Sequence, residues 1–124
     1  LSKKDVFNKV KEHMEKQGEF AMRQRSSFYK QCAYRTEKGL KCAVGCLIDD
    51  DKYCPDVETG RPRINAFGND DLLLQQILFD SGVNIFENEM FEMLEDLQLA
   101  HDDAACFNIN FNDSMKEIKK KYHL

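Results

Sequence analysis

The chain has 124 residues, of which 42% are hydrophobic and 32% charged, values of an ordinary globular domain with enough interior to fold without covalent staples. No apolar run reaches the roughly 18 residues of a membrane span, and the opening LSKKDVFNKVKEHM scatters charges among single apolar positions, unlike the apolar block of a secretory signal. The net charge of −4 disfavours sequence-specific binding to duplex DNA.

In chain order, Ser2 with Asp5 three residues later is a variant capping box. Val6, Phe7, Val10 and Met14 follow at helical spacing as far as Gly18, which predicts a first helix over residues 3–17. The aromatic-rich FYKQCAYR, then TEKG, then LKCA predict a short β-hairpin closed by a glycine-containing loop and packed on helices. CAVGCLI is apolar for seven residues, and a short buried helix ending near DDD is expected there. The segment CPDVETGRPRINAFGN holds both prolines and reads as the longest irregular loop.

Asn69 is placed to cap a helix bearing Leu72, Leu73, Ile77 and Leu78 that stops at Gly82. Asn84 with Glu87 forms another box before a longer helix whose inner stripe is Met90, Leu94, Leu97 and His101. A last stripe of Phe107, Phe111, Met115, Ile118 and Tyr122 ends in KEIKKK, whose charge suits a helix C-terminus. With no repeat and no flexible linker in view, these elements predict one domain over residues 1–124. It is mainly α, a small bundle of about five helices with a short β-hairpin.

Charge is segregated along the chain. Residues 1–44 hold 11 Lys/Arg against 5 Asp/Glu, residues 45–114 hold 3 against 16, and the last ten hold 4 against 1. The resulting +6, −13 and +3 make a two-pole field that can steer a charged partner or a second copy of the chain.

Five cysteines, at 32, 42, 46, 54 and 106, are an odd number, which leaves no complete disulfide framework and points to reduced thiols in a cytosol. None of their spacings is a CxxC pair, so a structural zinc site would need Cys42 and Cys46 on one helical face with Cys32 or Cys54 completing a tetrahedron. Buried thiols acting as small hydrophobes are the plainer reading, and no metal or other cofactor is assigned. An enzymatic alternative is coherent. Cys42 at a helix N-terminus would favour its thiolate, His101 would serve as base and Asp102 would orient the imidazole, giving a cysteine-dependent hydrolase or transferase. Against it, a histidine on an apolar seam is more often a core residue held by a carbonyl. Tyr34 and Arg35 could stack on a base or bind an anion, with Lys41, Arg61 and Arg63 supplying further pairing groups. Both the bundle and the thiol alternative require residues 43–48 to be interior and to lie against the stripe that ends at His101.

CAYRTEKGLKCAVGCLIDDDKY, together with LQLAHD at residues 97–102, resembles a pattern in small accessory proteins of bacteriophages and prophages. There a Cys-x-Tyr-Arg segment leads through glycine into Lys-Cys-Ala-Val/Ile-Gly-x-Leu-Ile, an acidic residue and Tyr, with a later Leu-Gln-x-x-His-Asp. The likeness spans about two thirds of the chain. It departs at Asp49, where a proline is usual, at Cys46, a position that varies, and in a longer 55–70 loop. The resemblance implies a phage accessory protein acting in the host cytoplasm but brings no settled activity with it; that context favours a non-enzymatic binder of a host bacterial protein, for takeover or counter-defence, over an enzyme. An anionic small molecule is the other partner expected on the Tyr34/Arg35 surface, and a homo-oligomer remains open.

Overall fold

The computed structural model describes residues 1–26, 29–58 and 72–124, with 23–26 and 29–32 as backbone only. It is mainly helical. Four α-helices stand among the described residues: α1 (Lys3–Gln17), α2 (Leu72–Asp80), α3 (Met90–Phe107) and α4 (Phe111–Lys121). A two-stranded antiparallel ribbon, β1 (Met22–Ser26) and β2 (Tyr29–Cys32), and two 3₁₀ turns, Gly45–Leu47 and Pro55–Glu58, lie between α1 and α2.

Helix α1 forms as its sequence dictates. Ser2 Oγ accepts from Asp5 N, the Asp5 carboxylate accepts from Ser2 N, and Gly18 ends the helix at φ +71° with its N–H on the Met14 carbonyl. Its buried side is Val6, Phe7, Val10 and Met14, the face a 3.6-residue period presents to a core. Helix α3 is the centre of the molecule, burying Met90, Met93, Leu94 and Leu97, with α4 and α1 packed against it. Helix α4 contributes Met115, Ile118 and the following Tyr122 to the same interior.

Four local expectations differ from what is observed. The CAVGCLI run is no helix beyond one 3₁₀ turn, and Ile48 leaves it in extended conformation. Residues 43–48 are buried throughout, so this run is enclosed on every side instead of amphipathic, and burial without a solvent face does not require α-helix. The pairing expected through TEKG is reduced to a single bridge, Arg35 with Lys41, around the Thr36–Gly39 turn, while the ladder lies earlier, Met22 opposite Cys32. The Asn84–Glu87 box is not built: Asn84 Oδ1 accepts from Phe86 N in an Asx turn, and α3 starts later, after Glu89 at φ +66°. Phe107 ends α3 instead of opening α4, because Asn108 turns left-handed and Asn110 caps α4 by accepting from Asp113 N. Phe28, Asn69 and most of the 55–70 loop lie outside the described residues.

Candidate functional site

On α3, Gln98 and Asp102 are four residues apart and so lie one above the other on the buried face. Gln98 Nε2 donates to Asp102 Oδ1 at 2.9 Å, and His101 Nδ1 shares that oxygen at 3.0 Å. The outer ends of this set reach two other segments: Val44 N donates to Gln98 Oε1 at 3.0 Å and Ala21 N donates to His101 Nε2 at 3.2 Å. Because Nε2 accepts a backbone N–H, the imidazole carries its proton on Nδ1, facing the carboxylate. Phe20 covers the ring edge-on at 5.2 Å between centroids. The LQLAHD motif is thereby a fastener: it satisfies buried backbone donors of the 43–48 turn and of the lead into β1, which would otherwise be stranded away from water.

The other half of the sequence motif is a second fastener. Glu58, buried at the end of the Pro55–Glu58 turn, accepts from Tyr34 N at 3.0 Å, Arg35 N at 2.9 Å and Tyr53 Oη at 2.6 Å. Arg35 lies over the Tyr53 ring at 4.6 Å, donates to the Ile48 carbonyl at 2.6 Å and pairs with Asp50 at 2.9 Å. A planar guanidinium serves all three contacts at once, which an ammonium could not. Lys41 shares Asp50 Oδ1 at 3.2 Å, and its backbone is held from both sides by the Gln17 amide. These cations hold the Asp50 carboxyl below its ordinary range, the Lys41 hydrogen bond first and then the charges of Lys41 and Arg35. Gly45 completes the arrangement, since a Cβ there would stand 2.0 Å from the Tyr34 carbonyl oxygen.

The candidate residues are therefore placed as follows. Tyr34, expected on a working surface, is fully buried, and Arg35 retains only 15% of its side-chain exposure, so neither offers a stacking platform. The physical reason is that the Cys42 N–H to Tyr34 carbonyl bond and the Glu58 carboxylate draw this segment inward. Lys41 is near Arg35, but both cations converge on Asp50 instead of leaving an anion site open. Arg61 and Arg63 lie outside the described residues.

Cys42, His101 and Asp102 do share one interior, with residues 43–48 against α3 as the fold requires. Their chemistry there is not that of a triad. Cys42 is completely buried, which pushes its thiol well above the ordinary range, and its sulfur accepts from Gly45 N instead of facing a base. The His101 lone pair is taken by Ala21 N–H. Burial likewise raises Cys46 to about 12, and its thiol donates to the Ala43 carbonyl. Among the described residues no three His, Cys, Asp or Glu side chains gather in a metal-binding arrangement, and no helix is long and apolar enough to cross a membrane.

Sequence reasoning missed Glu58 and Gln98, the residues that hold the two motifs together. Glu58 follows a proline turn with no periodic neighbour to mark it as interior, whereas Gln98, three residues before His101 on an otherwise apolar stripe, carried a legible signal. It also grouped Leu72 and Leu73 with the apolar set of α2, where both are exposed, and passed over Phe79 and the nearby Phe86, which are exposed as well. Comparison with protein-family models, with curated proteins and with solved structures returns no match to this chain.

Proposed function

We propose that the chain is a small, non-enzymatic interaction protein of the phage accessory type, which acts in the cytoplasm of a bacterial host by occupying the surface of a host protein. One observation carries the reading. Of the described side chains best suited to chemistry, Cys42, His101, Asp102 and Arg35 are committed to internal hydrogen bonds and Tyr34 is fully buried. A domain that spends its nucleophile, base and half-buried arginine on its own architecture has its outer surface left with which to act. The cysteine-enzyme alternative loses its support with the thiol and the imidazole each bonded elsewhere. The zinc alternative has no ligand cluster behind it among the described residues.

The test is affinity capture by the full immobilised chain from host lysate, followed by reconstitution with the purified captured protein. A single host protein bound in fixed stoichiometry supports the reading; a chain that retains no host component overturns it.

A further inference from the structure

The face formed by α2 and the turn that follows it combines two properties. It is apolar: Leu72 is 67% exposed, Phe79 49% and Phe86 79%. Leu72 and Phe79 are seven residues apart, hence on one side of α2 and about 10.5 Å from each other along its axis. Phe86 extends the row by contact with Phe79, ring centroids 6.3 Å apart. The face also carries two exposed carboxylates, Asp80 next to Phe79 and Glu87 next to Phe86. Two cations reach this turn, the Leu1 ammonium donating to the Gly82 carbonyl and Lys3 pairing with Glu89; Asp80 accepts only from the neutral Gln76 amide, and neither it nor Glu87 has a cationic partner among the described residues.

This ridge is pre-formed. Gly82 at φ +92° lets Val83 N bond back to the Leu78 carbonyl, Gly82 N bonds the Phe79 carbonyl, and the Asn84 side chain fixes Phe86 N. Val83 and Ile85 are buried on either side of Asn84, so the turn is anchored and Phe86 is left outward. Little ordering remains to be done on binding.

We infer that this face docks a basic amphipathic helix of a partner protein, a reading that rests on the interaction role proposed above and names its partner class. A linear apolar ridge matches the i, i+3, i+4, i+7 row of a helix, and the flanking carboxylates match lysines or arginines beside that row. The charge sign disfavours the other large polyanionic surfaces, nucleic acid and anionic membrane. A second copy of this chain fits poorly as well. Its basic helices, α1 and α4, have already turned Val6, Phe7, Val10 and Met14, and Met115 and Ile118, into their own core, and have no apolar row left to give.

The experiment uses the full chain and a fluorescent Lys/Leu peptide of roughly five turns, about 18 residues, with leucines in the helical row, beside a scrambled peptide of identical composition. Anisotropy titration should show the amphipathic peptide bound at least about tenfold more tightly than the scramble. The Phe79→Ser/Phe86→Ser variant should weaken it by about tenfold or more. Reversing Asp80 and Glu87 to lysine should weaken it severalfold, most at low salt. Circular dichroism should be unchanged, as the rings are exposed; if the double variant unfolds, Phe86→Ser alone carries the same test. Equal binding of the two peptides, or indifference to the phenylalanine changes, overturns the inference. So does a wild-type dimer in sedimentation that those changes dissolve, because the occupant is then a second copy. A chain that captures a host protein yet ignores the peptide loses only this inference; one that does neither loses the interaction role too.

Discussion

Gly45 is the position where one added carbon matters most. The obstruction is backbone, the Tyr34 carbonyl 2.0 Å from the Cβ site, and that carbonyl is itself held by the Cys42 N–H, so neither side can yield cheaply. Gly45→Ala is expected to cost about 3 kcal/mol, read as a fall in denaturant midpoint; a loss below measurement error would mean that the close approach is not present in solution. Gln98→Leu keeps the volume but strands Val44 N–H and removes a donor from Asp102, for an expected loss of about 2 kcal/mol. Its effect should not add to that of His101→Phe, since both act through Asp102 Oδ1. A double-mutant cycle measures that coupling, and strict additivity would contradict the shared oxygen. At this scale the sequence was ambiguous for a physical reason. The residue types that perform catalysis are also those that satisfy buried polar atoms, and the difference lies in partners such as Ala21 and His101, 80 residues apart in the chain.

At the level of elements, legibility followed how local the determinant is. The ends of α1 and the stop at Gly82 were readable because caps need only neighbours. The CAVGCLI turn and the Arg35–Lys41 bridge were not, since their shape depends on Glu58, Gln98 and Gln17 arriving from elsewhere. The α3–α4 boundary was missed because the apolar spacing runs through it, although Asn108 at φ +57° marks the break. Asparagine tolerates that conformation and a β-branched residue does not. Asn108→Val should therefore destabilise by about 1–2 kcal/mol in a chemical melt while Asn108→Gly is neutral or mildly stabilising; equal effects of the two would remove the backbone explanation. Docking of α4 has its own determinant in Tyr122 Oη, which donates to Asp96 Oδ2 at 2.5 Å beside the Lys121 ion pair.

For the molecule as a whole, the contest between scaffold and thiol enzyme is settled by how the interior responds to alkali and to alkylation. Burial raises both Cys42 and Cys46 above the ordinary thiol value of 9.0, so the folded state prefers the neutral thiol and the unfolded chain ionises first. The stabilisation is complete below pH 9 and is lost as pH rises from there toward the raised value of Cys46, about 12. A stability profile should thus decline above pH 9, and Cys42→Ala/Cys46→Ala should flatten that decline whatever it does to the plateau. The same burial predicts an order of labelling. Iodoacetamide should modify exposed Cys106 in the native protein and reach Cys42 and Cys46 only with global unfolding, in step with the denaturation curve followed by circular dichroism. Labelling of Cys42 in the folded chain below about pH 8, at the rate of an activated thiolate, would show that Ala21 releases the imidazole and that the interior opens. The thiol mechanism would then displace the structural one, because a fastener that must break in order to react cannot also be what holds the 43–48 turn to α3.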